Sequence, residues 1–557
     1  MSDLAKNNNG NGTTDKIETT GLSAAELYRL GRALCFGVYG VKIDKGRGVA
    51  ILEAAVEAGK AADASEETRA AALDAQAELA EQLSEDFDGR SADWERAVEL
   101  AAKPAEAGNP FALFTLGNAA SEGVGGVEAD ETAANAFYRR AVAAFLKRAK
   151  DGETSGDEDP RAICFAAFYL NKGRFVERDA AEAVRLYRRS AEIGCAEAAL
   201  NLGVAWMNGD GVEANPIEGA RWIRISAEAG DSRAAATLGE LYWNGVGVEE
   251  NKKEAARWFR KAAEAGDGDA AFRLGDLCAA LGESGEDGEL RKDGEPAALR
   301  WWRRGAELGN ADATARLGFV YFEGLLGVEK DEAEGVRWFR RAVELGSRSA
   351  ATNLGTALLQ GVGVEADAAE GLRYLKLAVE RGDATAANAL GFLYSSGDLG
   401  VERDDAEAVR WFRAGVELGD VDAALTLAAC FENGDGVERD DAEALRLYRI
   451  AAEAGNAAAA CDLGARLVGF IDDFDGETDE AEGLRWLRRS AELGFATASF
   501  ILGCCCENGV CGVEKNAAEA VERYREAAER GDDMAANRLA KAFATGDADL
   551  GLAKDPA

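Results

Sequence analysis

The segment Asp231–Gly266, DSRAAATLGELYWNGVGVEENKKEAARWFRKAAEAG, decides the fold. Ala235, Leu238, Leu241 and Tyr242 follow the three-or-four spacing that gives a first helix one apolar stripe. Gly239 and the nearby alanines leave room for a second helix to approach. Asn244-Gly245-Val246-Gly247 ends the first helix, because glycine takes positive φ at little cost, and Val248 is placed to turn inward and plug the bend. In the second helix Ala256, Phe259, Ala262 and Ala263 share one side with Trp258 beside them, and Gly266 supplies the stop.

The same grammar recurs. Leu202-Gly203, Leu238-Gly239, Leu274-Gly275, Leu317-Gly318, Leu354-Gly355, Leu390-Gly391, Leu463-Gly464 and Leu502-Gly503 return at intervals of about 36 to 43 residues. Degenerate copies lie around Leu79-Ala80, Phe165-Ala166 and Leu427-Ala428. Such a period predicts an array in which each unit buries its apolar face only against its neighbours. About thirteen helix pairs are expected over residues 21–546, closed by an unpaired helix near Leu539-Ala540. In copies reading GVERDDAEAVRWF, Asp404 with Glu407 resembles a capping box, as do Asp440 with Glu443 and Asp331 with Glu334. Residues 1–20 read as a disordered N-terminal tail and 547–557 as a C-terminal tail, and the polar insertions near 147–160 and 282–295 read as loop extensions.

Composition narrows the function. The 557 residues carry 101 Asp and Glu against 64 Lys and Arg, a formal charge of -37. A phosphate backbone would be repelled, so nucleic acid is excluded as a partner, whereas a basic protein segment is suited to such a surface. The chain has no histidine, which removes serine–histidine and cysteine–histidine catalysis and the usual general base near neutral pH. The longest apolar stretch, around Ala498 to Cys506, falls far short of the roughly 18 residues of a membrane span, and Met1 to Thr20 is not a secretory leader. A cytoplasmic protein without membrane contact is expected.

Several local patterns imitate ligand sites. The Gly-Val-Gly turns sit between two helices in many copies, whereas a phosphate cradle needs one loop between strand and helix. Asp473, Asp475, Gly476 and Glu482 fit part of a calcium loop, but Ile471 stands where the first ligand belongs; Asp86, Asp88, Gly89 and Glu95 fit likewise, with Ser84 in that place. The ten cysteines are irregularly spaced and form no twin Cys-x-x-Cys set, so neither a disulfide ladder nor a zinc site is supported. No cofactor, metal or active site is expected.

Ala-x-x-Leu-Gly-x-x-Tyr-x-x-Gly-x-Gly-Val, at Ala235 to Val248, and Ala-x-x-Trp-x-x-x-Ala-Ala-x-x-Gly, at Ala255 to Gly266, resemble Sel1-like repeats, a family related to tetratricopeptide repeats. The resemblance covers about Gly21 to Gly546. It implies an all-α fold: an α-solenoid of stacked antiparallel helix pairs forming a right-handed superhelix, serving as a non-enzymatic protein–protein interaction scaffold or adaptor. It further implies a concave wall of first helices, lined by residues five and two before the signature leucine and two, five and six after it. Carried over, this selects Val204, Met207, Glu240, Trp243, Phe272, Phe319, Phe322, Leu359 and Phe392 as partner-binding candidates for a protein or peptide. Trp243 and Phe322 stand out because Tyr242 and Tyr321 already fill the aromatic slot between helices. A regulatory or activating subunit of another enzyme would use the same wall. A cysteine-rich hydrolase of the β-lactamase-like branch would need a regular cysteine pair in each repeat, from which this chain departs.

Overall fold

Ser232–Asn244 is helical from end to end, and both of its boundaries have a chemical cause. Asp231 accepts a hydrogen bond from the Ala234 amide at 3.0 Å, satisfying an orphan N–H of the first turn. Gly245, at φ 68°, closes the other end in the left-handed conformation. Gly239 faces Lys252–Glu264 so closely that a Cβ there would stand 2.7 Å from Phe259 Cδ1. The Leu-Gly signature is therefore a contact requirement, not a turn. The second loop glycine, Gly247, has φ 69° and room only for hydrogen, since a Cβ would lie 2.1 Å from the Pro216 carbonyl oxygen of the preceding hairpin.

The computed structural model describes residues 22–552 except 37, 39–42, 62–63, 86–91, 156–157, 282–290, 293–294, 472–477, 547–549 and 551. Among these residues the chain forms 27 α-helices in two compact units, Met1–Ala313 and Thr314–Ala557. The first unit opens with the hairpin Ala24–Phe36 and Lys45–Gly59 and ends with Gly268–Leu281 and Ala297–Glu307. The second carries hairpins from Ala311–Glu323 and Glu332–Glu344 to Ala496–Asn508 and Ala517–Glu529, with Asp533–Thr545 unpaired after them. The fold is an all-α array of stacked helix pairs.

Each unit is held by a chain of local clusters and has no single centre. Leu200, Ile223, Leu238, Phe259 and Leu274 interlock across three consecutive hairpins, and Phe339, Leu354, Leu375 and Leu390 do the same in the second unit. Burial is thus shared only between neighbours, as a one-dimensional repeat requires. Leu550 and Leu552 fold back onto the cluster around Tyr524 and Leu539.

Two readings of the sequence change. Residues 147–155 are not a loop: the helix Glu131–Ser155 continues through them, because Ala141, Val142, Phe145 and Ala149 prolong one buried stripe that outweighs the polar residues around it. Near 282–295 the described part is a short antiparallel ribbon in which Arg291–Lys292 pairs with Glu295–Pro296. The reading of residues 1–20 as a tail falls outside the described residues.

The capping boxes form by halves. Asp404, Asp440 and Asp331 accept from the amides of Glu407, Glu443 and Glu334 at 2.9, 3.0 and 2.8 Å. The glutamates turn instead to the arginines three residues on, Glu407 to Arg410 at 2.9 Å and Glu443 to Arg446 at 2.6 Å. Much of the acidity is thereby committed to helix starts, where it also suits the macrodipole. Asp404→Ala should cost about 1 kcal/mol in urea unfolding. Glu407→Gln, which leaves the cap intact, should cost less than half of that.

Candidate functional site

The nine residues placed on the first-helix wall divide by register. Two residues after the signature leucine, Val204, Phe319 and Phe392 are exposed at 39, 41 and 50%. Phe392 leans on Phe412 with ring centres 5.3 Å apart and keeps its outer face in solvent. Glu240, in the same register, pairs with Arg273 of the next hairpin at 3.1 Å. Phe272, two residues before its leucine, is half-buried.

Five residues after the leucine the side chains lie within the hairpin. Met207, Phe322 and Leu359 sit over Gly219, Gly335 and Gly371 of the second helix, where a Cβ would come within 2.6, 2.7 and 2.8 Å of them. Phe322 also packs on Phe339 with ring centres 5.7 Å apart, Leu359 is buried, and Trp243 packs half-buried against the cluster around Phe259. Trp243 and Phe322, singled out in the sequence, therefore offer an edge to solvent, whereas Val204, Phe319 and Phe392 offer a face.

In the first unit the wall carries a buried charge cluster that the sequence reading did not single out. Ile43 N–H donates to the Ala229 carbonyl at 3.1 Å, so the chain returns on itself within the first five hairpins. First helices meet inside this turn. Arg161, 3% exposed, binds Glu78 and also Glu81, the latter at 2.7 Å. Arg32 reaches Glu78 at 3.0 Å and also pairs with Asp159, which Arg148 holds from its other side at 3.2 Å. The Arg161 guanidinium lies over the rings of Phe36 and Phe111, 3.3 and 4.6 Å from their centres. Burial pushes the Glu78 carboxyl up, to about 7, against the pull of Arg161 and Arg32. Burial acts on Asp159 in the same sense, but Arg32 and Arg148 outweigh it and hold that carboxyl at about 2. This arrangement cross-links helices and fills the inner face of the turn.

Glu482 spends its carboxylate on Arg449 and on the Trp486 indole N–H, both at 3.1 Å. The other carboxylates of the two calcium-like loops, Asp473, Asp475, Asp86 and Asp88, lie outside the described residues with Gly476 and Gly89, Glu95 excepted. Among the described residues no group of three metal-ligating side chains converges, and no helix is long and apolar enough to cross a membrane. All ten cysteines are free thiols.

Stacked hairpins that present a wall of first helices, with their acids committed to caps and ion pairs, define a helical-repeat solenoid. The chain belongs to the Sel1 repeat family, whose model matches twelve times: at 27–60, 110–144, 160–195, 196–231, 232–267, 268–310, 311–347, 348–383, 384–420, 421–456, 457–495 and 496–532. The stretch 61–109, which holds the degenerate copy at Leu79-Ala80, is unmatched. Among solved structures, the chain is similar to c5321, a protective antigen present in uropathogenic Escherichia coli strains, at 27% identity over 81% of this chain and 92% of that one, with a TM-score of 0.46. It is similar also to a Sel1 repeat protein from Oxalobacter formigenes, at 29% identity over 57% of this chain and 89% of that one, with a TM-score of 0.48. No curated protein matches the chain.

Proposed function

We propose that the chain is a non-catalytic adaptor whose first-helix wall holds a protein segment through several weak apolar contacts. Sel1 repeat proteins in general serve protein–protein interaction, and the fold belongs to that class. The observation that carries the reading here is the exposure of Phe319 and Phe392 in one register of the second unit, and of Val204 in that register of the first. Large apolar side chains left open on a rigid, repeated scaffold are suited to act as anchors. Several of them sum through multivalency, and a preordered wall lowers the entropy lost on binding.

The charge of -37 favours a partner segment bearing Lys and Arg, chiefly by raising the encounter rate. Ten unpaired thiols suit a reducing compartment, which supports a cytoplasmic setting. The test is panning of a displayed random-peptide library on the full chain, with enriched peptides measured by fluorescence anisotropy. Basic peptides carrying apolar anchors should emerge, and the Phe319→Ala/Phe392→Ala double variant should weaken them about tenfold or more. Raising salt from 50 to 500 mM should weaken them further. Peptides that bind the double variant as well as the native chain would remove the wall from the function.

A further inference from the structure

In the second unit, the hairpin of Ala384–Ser396 and Asp405–Glu417 leaves a cavity of about 210 Å³ against the next first helix, Val421–Asn433. Ala408, Phe412, Ala429 and Cys430 form its apolar floor. Ser395, also in the lining, comes five residues after Leu390, where other copies carry Met207, Trp243, Phe322 and Leu359. Cys430 comes three after Leu427, where other copies carry Leu241, Leu277 and Leu393, and Ala429 falls in the register of Val204, Phe319 and Phe392. Three places that hold large apolar groups elsewhere hold small ones here, so the packing is short of a side chain.

One end of the cavity is apolar and the other is acidic. Ala429 lies in the register of the first-helix wall, whereas Asp435 follows the end of Val421–Asn433 and is exposed. Arg403, at the Asp435 end, is held by Asp405 through paired hydrogen bonds of 2.9 and 3.0 Å. Asp435 accepts from the Asn433 side-chain amide at 3.3 Å, and among the described residues no cation forms an ion pair with it. The negative field reaches the floor: burial pushes the Cys430 thiol up to about 11, and Asp435 and Asp405 add to that push. A long aliphatic stem with a compact positive head matches both ends of such a space.

We propose that the cavity receives a lysine side chain of the bound protein segment, with its methylenes over Ala408, Phe412 and Ala429 and its ammonium at Asp435. The proposal deepens the adaptor reading and rests on it: the wall guides the segment, and the cavity fixes its register. An ammonium suits the acidic end better than a guanidinium, because Arg403 already lies there and a compact head keeps clear of it.

The experiment follows iodoacetamide alkylation of Cys430 in the full folded chain, read peptide by peptide by mass spectrometry, with Nα-acetyl-lysine methylamide as the probe. At about 50 mM the probe should slow Cys430 about twofold or more, as expected of a small ligand of millimolar affinity. Cys278 and Cys504, half-buried elsewhere, should keep their rates. The uncharged norleucine analogue, at matched ionic strength, should protect less than the lysine probe does. Asp435→Asn should bring the lysine probe down to the norleucine level. Ser395→Leu, which fills the space with the residue that Leu359 provides in the preceding hairpin, should abolish protection by both. An unchanged Cys430 rate in the presence of the lysine probe would overturn the proposal, and so would norleucine protection equal to that of lysine. Phe319 and Phe392 are not in the lining, so this result and the peptide panning are read separately. Peptides that ignore the wall, with Cys430 still protected, would remove the adaptor reading alone; wall-dependent peptides without that protection would remove the lysine site alone.

Discussion

Arg161→Met should destabilise the first unit by about 3–5 kcal/mol in urea unfolding near pH 7.5, out of proportion to the loss of one side chain of similar length. Arg161 neutralises Glu78 and Glu81 inside a turn of first helices, and Glu78 is fully buried. Taking away the guanidinium leaves the Glu78 carboxylate buried with only Arg32 beside it, and the loss of its stacking over Phe36 and Phe111 adds to the cost. An exposed pair sets the scale for comparison. Arg410→Ala, which breaks the contact with Glu407 on the solvent side, should cost well under 1 kcal/mol. Equal effects from the two variants would mean that the cluster is solvated and does not hold the turn.

The same cluster gives a pH signature whose sign is fixed. Glu78 has its folded pKa raised to about 7 from 4.5, chiefly by burial, so the folded state holds the proton more tightly than the unfolded chain does. Its contribution is complete below about pH 4.5 and is lost as pH rises through about 7. Asp159 behaves in the opposite way. Held at about 2 against an ordinary 3.8, it contributes fully above that ordinary value and loses its contribution as pH falls toward 2. Between pH 4.5 and 7 the Glu78 effect stands apart from that of Asp159. Glu78→Gln should flatten the decline over that window in urea midpoints measured at successive pH values, and an unchanged slope would assign it to other groups.

The parts of this molecule legible in the sequence are those fixed within one hairpin. Leu238-Gly239, the Asn244-Gly245 stop and the Asp404 cap each depend on residues a few positions away, and each appears where the pattern places it. The charge cluster was not legible, because Arg32 and Asp159 are 127 positions apart and meet only through the winding of several hairpins. Its sequence trace was slight: Glu81 falls two residues after Leu79, and Arg32 two residues after Leu30 of a further Leu-Gly pair, Leu30-Gly31, in the register where later copies carry Val204, Phe319 and Phe392. The wall residues were partly legible for a related reason. Periodicity finds the face of a helix, but whether Met207, Phe322 or Leu359 points out of the hairpin depends on a glycine in the opposing helix. Gly219, Gly335 and Gly371 open a slot, and a large side chain fills it.

Phe259→Ala should cost about 3–5 kcal/mol, and adding Gly239→Ala should return part of it, although Gly239→Ala alone is destabilising by about 1–3 kcal/mol. Phe259 is 1% exposed and lies against the bare backbone of Gly239, where a methyl group would come 2.7 Å from its ring. In the native background that methyl overpacks the interface and pushes Ser232–Asn244 away from Lys252–Glu264. With the ring removed, the same methyl occupies part of the cavity left behind. The two substitutions share one space, so their costs are not additive, and the coupling energy from the cycle should be at least about 1 kcal/mol and favourable. Additive costs would mean that the helices do not close on the glycine. The Leu-Gly signature would then be a mark of helix ending, and the tight stacking of the repeats would need another cause. Because the unit is an array, the damage should also stay local: amide exchange should quicken between about residues 200 and 277, the span of the cluster that contains Phe259, and remain slow around Phe111 and Phe145.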